Sequence, residues 1–191
     1  MKYNTEVKLL KSGQTVFSTQ DLAILWAISD TNYLKTKIYR LTNSGTLKRI
    51  RRGIYALDKD YNRFELANKL VSPSYVSLQT VLAQKGVLFQ YDSTIYSIAG
   101  RSIQASIREQ TFVYKKIKDD IMLVRQGTEV ENGVTMATLE RAILDMLYLE
   151  KDCYFDNPNS VDWDKCFSLA KMYNNTKLNQ RLTKLYEAYN G

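Results

Sequence analysis

Residues 47–57 read Leu47-Lys48-Arg49-Ile50-Arg51-Arg52-Gly53-Ile54-Tyr55-Ala56-Leu57, apolar side chains on both sides of an Arg-Arg-Gly turn. That pattern predicts two short antiparallel strands, and Gly53 permits the positive φ that a tight hairpin favours. With Lys48, Arg49, Arg51 and Arg52 on it, the hairpin reads as a basic wing whose cations meet phosphates or enter the minor groove.

The segments before the hairpin predict helices in the order a winged helix-turn-helix requires. A first amphipathic helix fits Tyr3 to Lys11, with Val7 and Leu10, and Leu9 beside them, as its apolar stripe before Ser12-Gly13 stops it. Phe17-Ser18-Thr19-Gln20-Asp21 is a helix start, with Ser18 as cap and Asp21 in capping-box position. The second helix then runs from Thr19 to about Ala27 and buries Leu22, Leu25 and Trp26. Asp30 caps a third helix, which Gly45 ends. In it Leu34, Ile38 and Leu41 recur at helical spacing and define the buried stripe. The opposite face then carries Asn32, Thr36, Tyr39 and Asn43, flanked by Lys35 and Arg40. These are hydrogen-bonding and cationic groups suited to base edges and phosphates. The expected DNA-contacting set is therefore Asn32, Lys35, Thr36, Tyr39, Arg40, Lys48, Arg49, Arg51 and Arg52.

The distribution of charge along the chain supports this reading. The 191 residues carry 27 Lys and Arg against 20 Asp and Glu, a net charge of +7. Residues 1–57 hold ten of the cations and three of the acids, so the whole excess lies there. Nucleic-acid binders concentrate cations in one module, and the neutral remainder calls for a different partner. The expected division is a DNA-binding domain over 1–57 and a second domain over 58–191.

Downstream the pattern predicts a mixed α/β domain. Phe64, Ala67, Leu70 and Val71 suggest a helix over 61–71, closed by Pro73, and a second helix is expected over 75–86. Residues 94–99 and 111–117 alternate like strands, with a short strand over 103–108 between them, so a small mixed sheet is expected. Val134 to Leu149 passes from strand to helix with Thr138 as cap and Leu139, Ile143 and Leu147 on one face; two closing helices fit 163–173 and 176–189. The fold class is α+β: an N-terminal winged helix-turn-helix, then a mixed α/β domain with a small sheet and C-terminal helices.

The order of "LKRIRRGIYAL", "FELANKL", "YVSLQTVLAQKGV", "AGRSI" and "VTMATLERAILDMLYL" resembles the AbiEi-type antitoxins of bacterial toxin-antitoxin systems. The resemblance is most specific at the wing and over 137–148, where the family reads Ala-x-x-Glu-(Arg/Lys)-Ala-(Leu/Ile)-(Leu/Ile)-Asp. The chain departs from the family at Lys85-Gly86, where His-Gly is frequent. The resemblance implies an antitoxin that binds double-stranded operator DNA, represses its own operon, and antagonises a nucleotidyltransferase-like toxin through its C-terminal domain. The alternative is a winged-helix regulator with a C-terminal ligand-sensing or dimerisation domain and no toxin partner; self-association on DNA stays open.

Composition narrows the chemistry. The chain has no histidine, which removes the usual serine and cysteine triads and His-ligated metal sites. The eight glycines form no phosphate-cradling loop, and Cys153 and Cys166 are expected to be reduced and inert. Carboxylates for a metal-dependent nuclease are scattered among Asp119-Asp120, Glu129, Glu131, Glu140 and Asp145. Glu140 suits the first turn of its helix, and Arg141 to Asp145 suits an i, i+4 ion pair. No cofactor, metal or catalytic residue is expected, and without a leader or an apolar stretch of membrane-spanning length the protein is expected in the cytoplasm, with no membrane partner.

Overall fold

The computed structural model describes residues 2–89 and 92–190. The chain forms two compact units, one comprising residues 1–72 with 131–134 and the other residues 73–130 with 135–191.

The first unit begins with α1 (Lys2–Lys11), β1 (Val16–Ser18), α2 (Thr19–Trp26) and α3 (Thr31–Asn43). It continues with β2 (Lys48–Arg51), β3 (Ile54–Ala56) and α4 (Arg63–Leu70). Its helix boundaries follow local chemistry. Ser18 accepts from the Asp21 backbone N–H while the Asp21 carboxylate accepts from the Ser18 backbone N–H, a complete capping box. Asp30 accepts from the Tyr33 backbone N–H at 2.7 Å to open α3. Leu22, Trp26, Leu34, Ile38 and Leu41 close on Leu9, Phe17 and Leu47 to form the core. On α1 the buried residue is Leu9, whereas Leu10 is 72% exposed, because the helix turns its Leu9 side to the core and not the Leu10 side.

Two features of this unit escape local pattern. Val16–Ser18 is a strand, pairing antiparallel with β3 so that the wing belongs to a three-stranded sheet in the order β1-β3-β2. The unit also extends past the expected boundary after Leu57 to Ser72. The cause is α4, whose buried residues are Glu65, Leu66 and Ala67 instead of the Phe64, Ala67 and Leu70 stripe. Glu65 Oε2 accepts from both the backbone N–H and the hydroxyl of Thr15, at 2.8 and 2.7 Å, and Lys69 pairs with Asp21 at 2.8 Å. Residues 58–72 add three charges of each sign, so the +7 excess of the N-terminal segment is unchanged.

The second unit contains β4 (Ser74–Val76), α5 (Leu78–Gln84), β5 (Ile95–Ala99), β6 (Ile103–Ile107), β7 (Gln110–Lys116) and α6 (Asp119–Met122). There follow β8 (Thr128–Glu131), whose last residue belongs to the first unit, and β9 (Val134–Ala137), whose first residue does. The chain ends with α7 (Leu139–Leu149), α8 (Trp163–Ala170), a 3-10 turn at Lys171–Tyr173 and α9 (Thr176–Asn190). The sheet is mixed and six-stranded, in the order β6-β7-β5-β4-β9-β8. Tyr75 and Val76 lie in a strand, not in the expected helix. The chain turns at Leu78, whose φ of +57° is rare for a bulky side chain and marks a sharp strand-to-helix corner no periodicity announces. Residues 128–131 form a strand that carries Glu129 and Glu131, and Asp119-Asp120 open a short helix.

Helix α7 is buried from Leu139 through Leu147 without interruption, so the expected single apolar face is replaced by burial all round. Its polar residues are held by a network. Arg141 and Asp145 do pair, Nε to Oδ1 at 3.4 Å, with both side chains fully buried. Arg141 also donates to the carbonyls of Gln126 and Ile121, each at 2.8 Å, and to the Tyr75 hydroxyl at 3.0 Å. Asp145 accepts from Ser77 at 2.7 Å, Tyr173 at 2.6 Å and Tyr75 at 3.2 Å. Burial pushes the Asp145 carboxyl above its usual range, opposed by Arg141 and the three hydroxyls. For Glu140, by contrast, the Lys165 ammonium at 2.8 Å and nearby hydrogen bonds outweigh burial and hold the carboxyl below its ordinary value.

Candidate nucleic-acid interface

Between α3 and the wing lies an open cleft of about 370 Å³, lined by Lys35, Ile38, Tyr39 and Thr42 from the helix. Arg49, Arg52, Gly53 and Tyr55 line it from the hairpin, with Thr19 of α2 at its end. The fold therefore joins Lys35, Tyr39, Arg49 and Arg52 into one concave, basic surface. Tyr39 is 66% exposed, which leaves its ring and hydroxyl accessible.

The hairpin is anchored at its turn. Gly53 takes φ +82°, and its carbonyl accepts from the Thr19 backbone N–H at 2.9 Å, tying the wing to the first residue of α2. A register shift between Arg49 and Arg51 then sorts the arginines. Arg49 pairs with Tyr55 and Arg51 with Ile54, so the extra residue sends the two arginines to opposite faces, whereas simple alternation would put them on the same one. This is why Arg49 lines the cleft and Arg51 does not. Arg51 and Arg52 remain exposed at the wing tip.

The other expected contacts divide into two groups. Asn32, Thr36 and Arg40 lie exposed on α3 outside the cleft, and the Thr36 hydroxyl donates to the Asn32 carbonyl at 2.9 Å. Lys48 is ion-paired to Asp58, whose carboxyl that contact lowers, so Lys48 is partly neutralised within the chain. Lys37, one of the ten N-terminal cations, lies 4.4 Å from the centroid of the Trp26 ring, and burial and repulsion from Lys8 lower its pKa. Tyr33 is 54% exposed in the first turn of α3, at a position that the sequence pattern does not mark. Its period falls beside Asn32, but an aromatic at an α3 position reads equally well as core filling.

Residues 4–57 match the family model described as transcriptional regulator, AbiEi antitoxin. The winged module resembles that of AbiEi-type antitoxin regulators. The match runs from within α1 through the wing, so it includes α3 and the hairpin that line the basic cleft, and it ends one residue beyond β3. No curated protein matches the chain. Among the described residues, no group of three or more Cys, Asp or Glu is arranged to hold a metal ion. None of the described helices is long and apolar enough to cross a membrane. Burial raises the Cys153 thiol to about 11 and the Cys166 thiol to about 12, which keeps both protonated near neutral pH.

Proposed function

We propose that the protein is a non-enzymatic, cytoplasmic antitoxin that binds double-stranded operator DNA through the α3–wing cleft and represses its own operon. The observation that carries this reading is the cleft itself, which gathers Lys35, Tyr39, Arg49 and Arg52 on one exposed concave surface. In this reading α3 enters the major groove with Asn32, Lys35, Thr36 and Tyr39 nearest the bases. Arg40, Arg49, Arg51 and Arg52 hold the phosphates, and Lys48 contributes less because Asp58 already faces it. The second unit then antagonises a nucleotidyltransferase-like toxin, an assignment supported by the resemblance of the segment over 137–148.

The test titrates the full chain onto its own upstream DNA and onto random duplex across a salt series. Replacing Arg49 and Arg52 by Ala should flatten the slope of log K against log salt by about 0.9 for each phosphate that is no longer neutralised. An unchanged slope would remove the wing from the interface. In cells carrying a neighbouring nucleotidyltransferase-like gene, the same variant should lose repression yet still relieve toxicity; failure of both together would defeat the division of labour.

A further inference from the structure

Strand β6 ends the six-stranded sheet, with β7 on one side and, among the described residues, no strand on the other. Open edges of this kind are templates for pairing with another chain, and proteins usually blunt them with charge, proline or a bulge. Residues 103–107, Ile-Gln-Ala-Ser-Ile, carry no charge and no proline, and their register with β7 is regular from Ile103↔Tyr114 to Ile107↔Gln110. A two-residue turn, Arg108-Glu109, joins the strands, so Ile107 and Gln110 form the closing hydrogen-bonded pair. Ladder alternation then directs the backbone groups of Ile103, Ala105 and Ile107 toward β7 and those of Gln104 and Ser106 outward.

The side chains of β6 also leave one face unfinished. Ile103, Ala105 and Ile107 share a face with Tyr114, Phe112 and Gln110, which are buried. The apolar layer thus continues past Phe112 and Tyr114 onto the edge strand, where Ile103 is 38% exposed.

We propose that β6 is a self-pairing edge, and that a second copy of this chain adds antiparallel across it about a twofold axis at Ala105. In that register Ile103 meets Ile107 of the second copy on the unfinished apolar face, and Gln104 meets Ser106. Both of the latter are outward-directed, so they exchange ladder hydrogen bonds. Arg101 and Glu109, which flank the strand at its two ends, then come to the same end of the antiparallel pair, twice over by symmetry. Both are exposed, and neither has an ion-pair partner among the described residues. Shifting the axis to Gln104 or Ser106 places each isoleucine opposite a residue other than isoleucine and separates the opposite charges. A self-complementary stretch over 101–109 therefore selects one register and one occupant.

The test is sedimentation equilibrium of the full chain over a broad concentration range, with a cysteine probe for the register. The expected result is a rise from the 22.1 kDa monomer toward a dimer. Arg101→Glu should weaken dimerisation about tenfold by turning two attractive pairs into repulsive ones, as should Glu109→Arg, and combining the two should restore it. In a Cys153→Ser background, Ala105→Cys should form an intermolecular disulfide on mild oxidation, because non-hydrogen-bonded partners on the axis sit about 4.5 Å apart between Cα atoms. Gln104→Cys, two residues out of register with its own copy, should not. A monomer at every concentration with no Ala105→Cys cross-link would overturn the proposal, and equal cross-linking by both probes would overturn the register.

Discussion

Arg141→Met tests whether the buried network around α7 holds the second unit together as an ion pair. Methionine keeps most of the aliphatic stem and removes the guanidinium, which now faces Asp145 at 3.4 Å, two carbonyls at 2.8 Å and the Tyr75 hydroxyl. Removing one partner of a fully buried pair costs about 3–5 kcal/mol, because the remaining charge is left uncompensated. The two carbonyls add part of their own desolvation, about 1–3 kcal/mol each where no water replaces the donor. The terms overlap, so a destabilisation of about 4–6 kcal/mol is expected, a large share of the roughly 5–15 kcal/mol typical of a domain. The effect should depend on pH with a definite sign. Burial already raises the Asp145 carboxyl and Arg141 opposes that rise, so the variant titrates higher still. A carboxyl whose folded pKa exceeds its unfolded one takes up a proton on folding. Stability therefore grows as pH falls through the folded pKa and is lowest above it. Urea unfolding of the variant should thus recover part of the missing stability when the pH is lowered from neutral to acidic through the folded pKa, relative to the unsubstituted chain. Asp145→Asn strands the guanidinium instead, and should be destabilised by a similar amount with no recovery on acidification. A destabilisation below about 1 kcal/mol for Arg141→Met, or equal values at both pH values, would refute the network as a charged pair.

Two further outcomes check local geometry. Gly45 and Gly127 both have φ +77°, so alanine at either carries the same backbone strain of about 1–2 kcal/mol. At Gly45 nothing lies within 4 Å of the added Cβ, whereas at Gly127 it would sit 3.0 Å from Arg141 Cβ and 3.2 Å from Leu169 Cδ1. Gly127→Ala should therefore be clearly the more destabilising in denaturant melts, and equal effects would show that the loop relaxes away from α7. Ser18→Ala removes half of the α2 capping box and should cost about 1 kcal/mol; no measurable change would mean that Asp21 and Lys69 alone fix the helix start.

Within the winged module most elements were legible because their signals are local. Leu34, Ile38 and Leu41 sit on one helical face, Ser18 and Asp30 cap through neighbouring backbone, and Gly45 and Gly53 supply positive φ where the chain turns. The exposed polar face of α3 is the complement of that buried stripe. Lys48 carries no local sign of its ion pair, since its partner Asp58 lies ten residues away. No local pattern separates Arg49 from Arg51, because a one-residue bulge reverses the facing of every side chain beyond it and leaves no mark on composition.

The charge split, the helix periods and the turn chemistry were determined by the sequence alone, because each depends on residues within a few positions of one another. Tertiary structure decided what depends on distant partners. Val16–Ser18 and Ser74–Val76 are strands because β3 and the central sheet offer hydrogen-bonding edges there, against weak or helical local preference. Glu65, Arg141 and Asp145 are buried because Thr15, Tyr75, Ser77 and Tyr173 satisfy them from as many as 70 positions away, where a charged residue read in isolation belongs in water. The cleft at the wing is likewise a product of folding: Lys35 and Tyr39 come from one element, Arg49 and Arg52 from another, and only the packed unit makes them one surface.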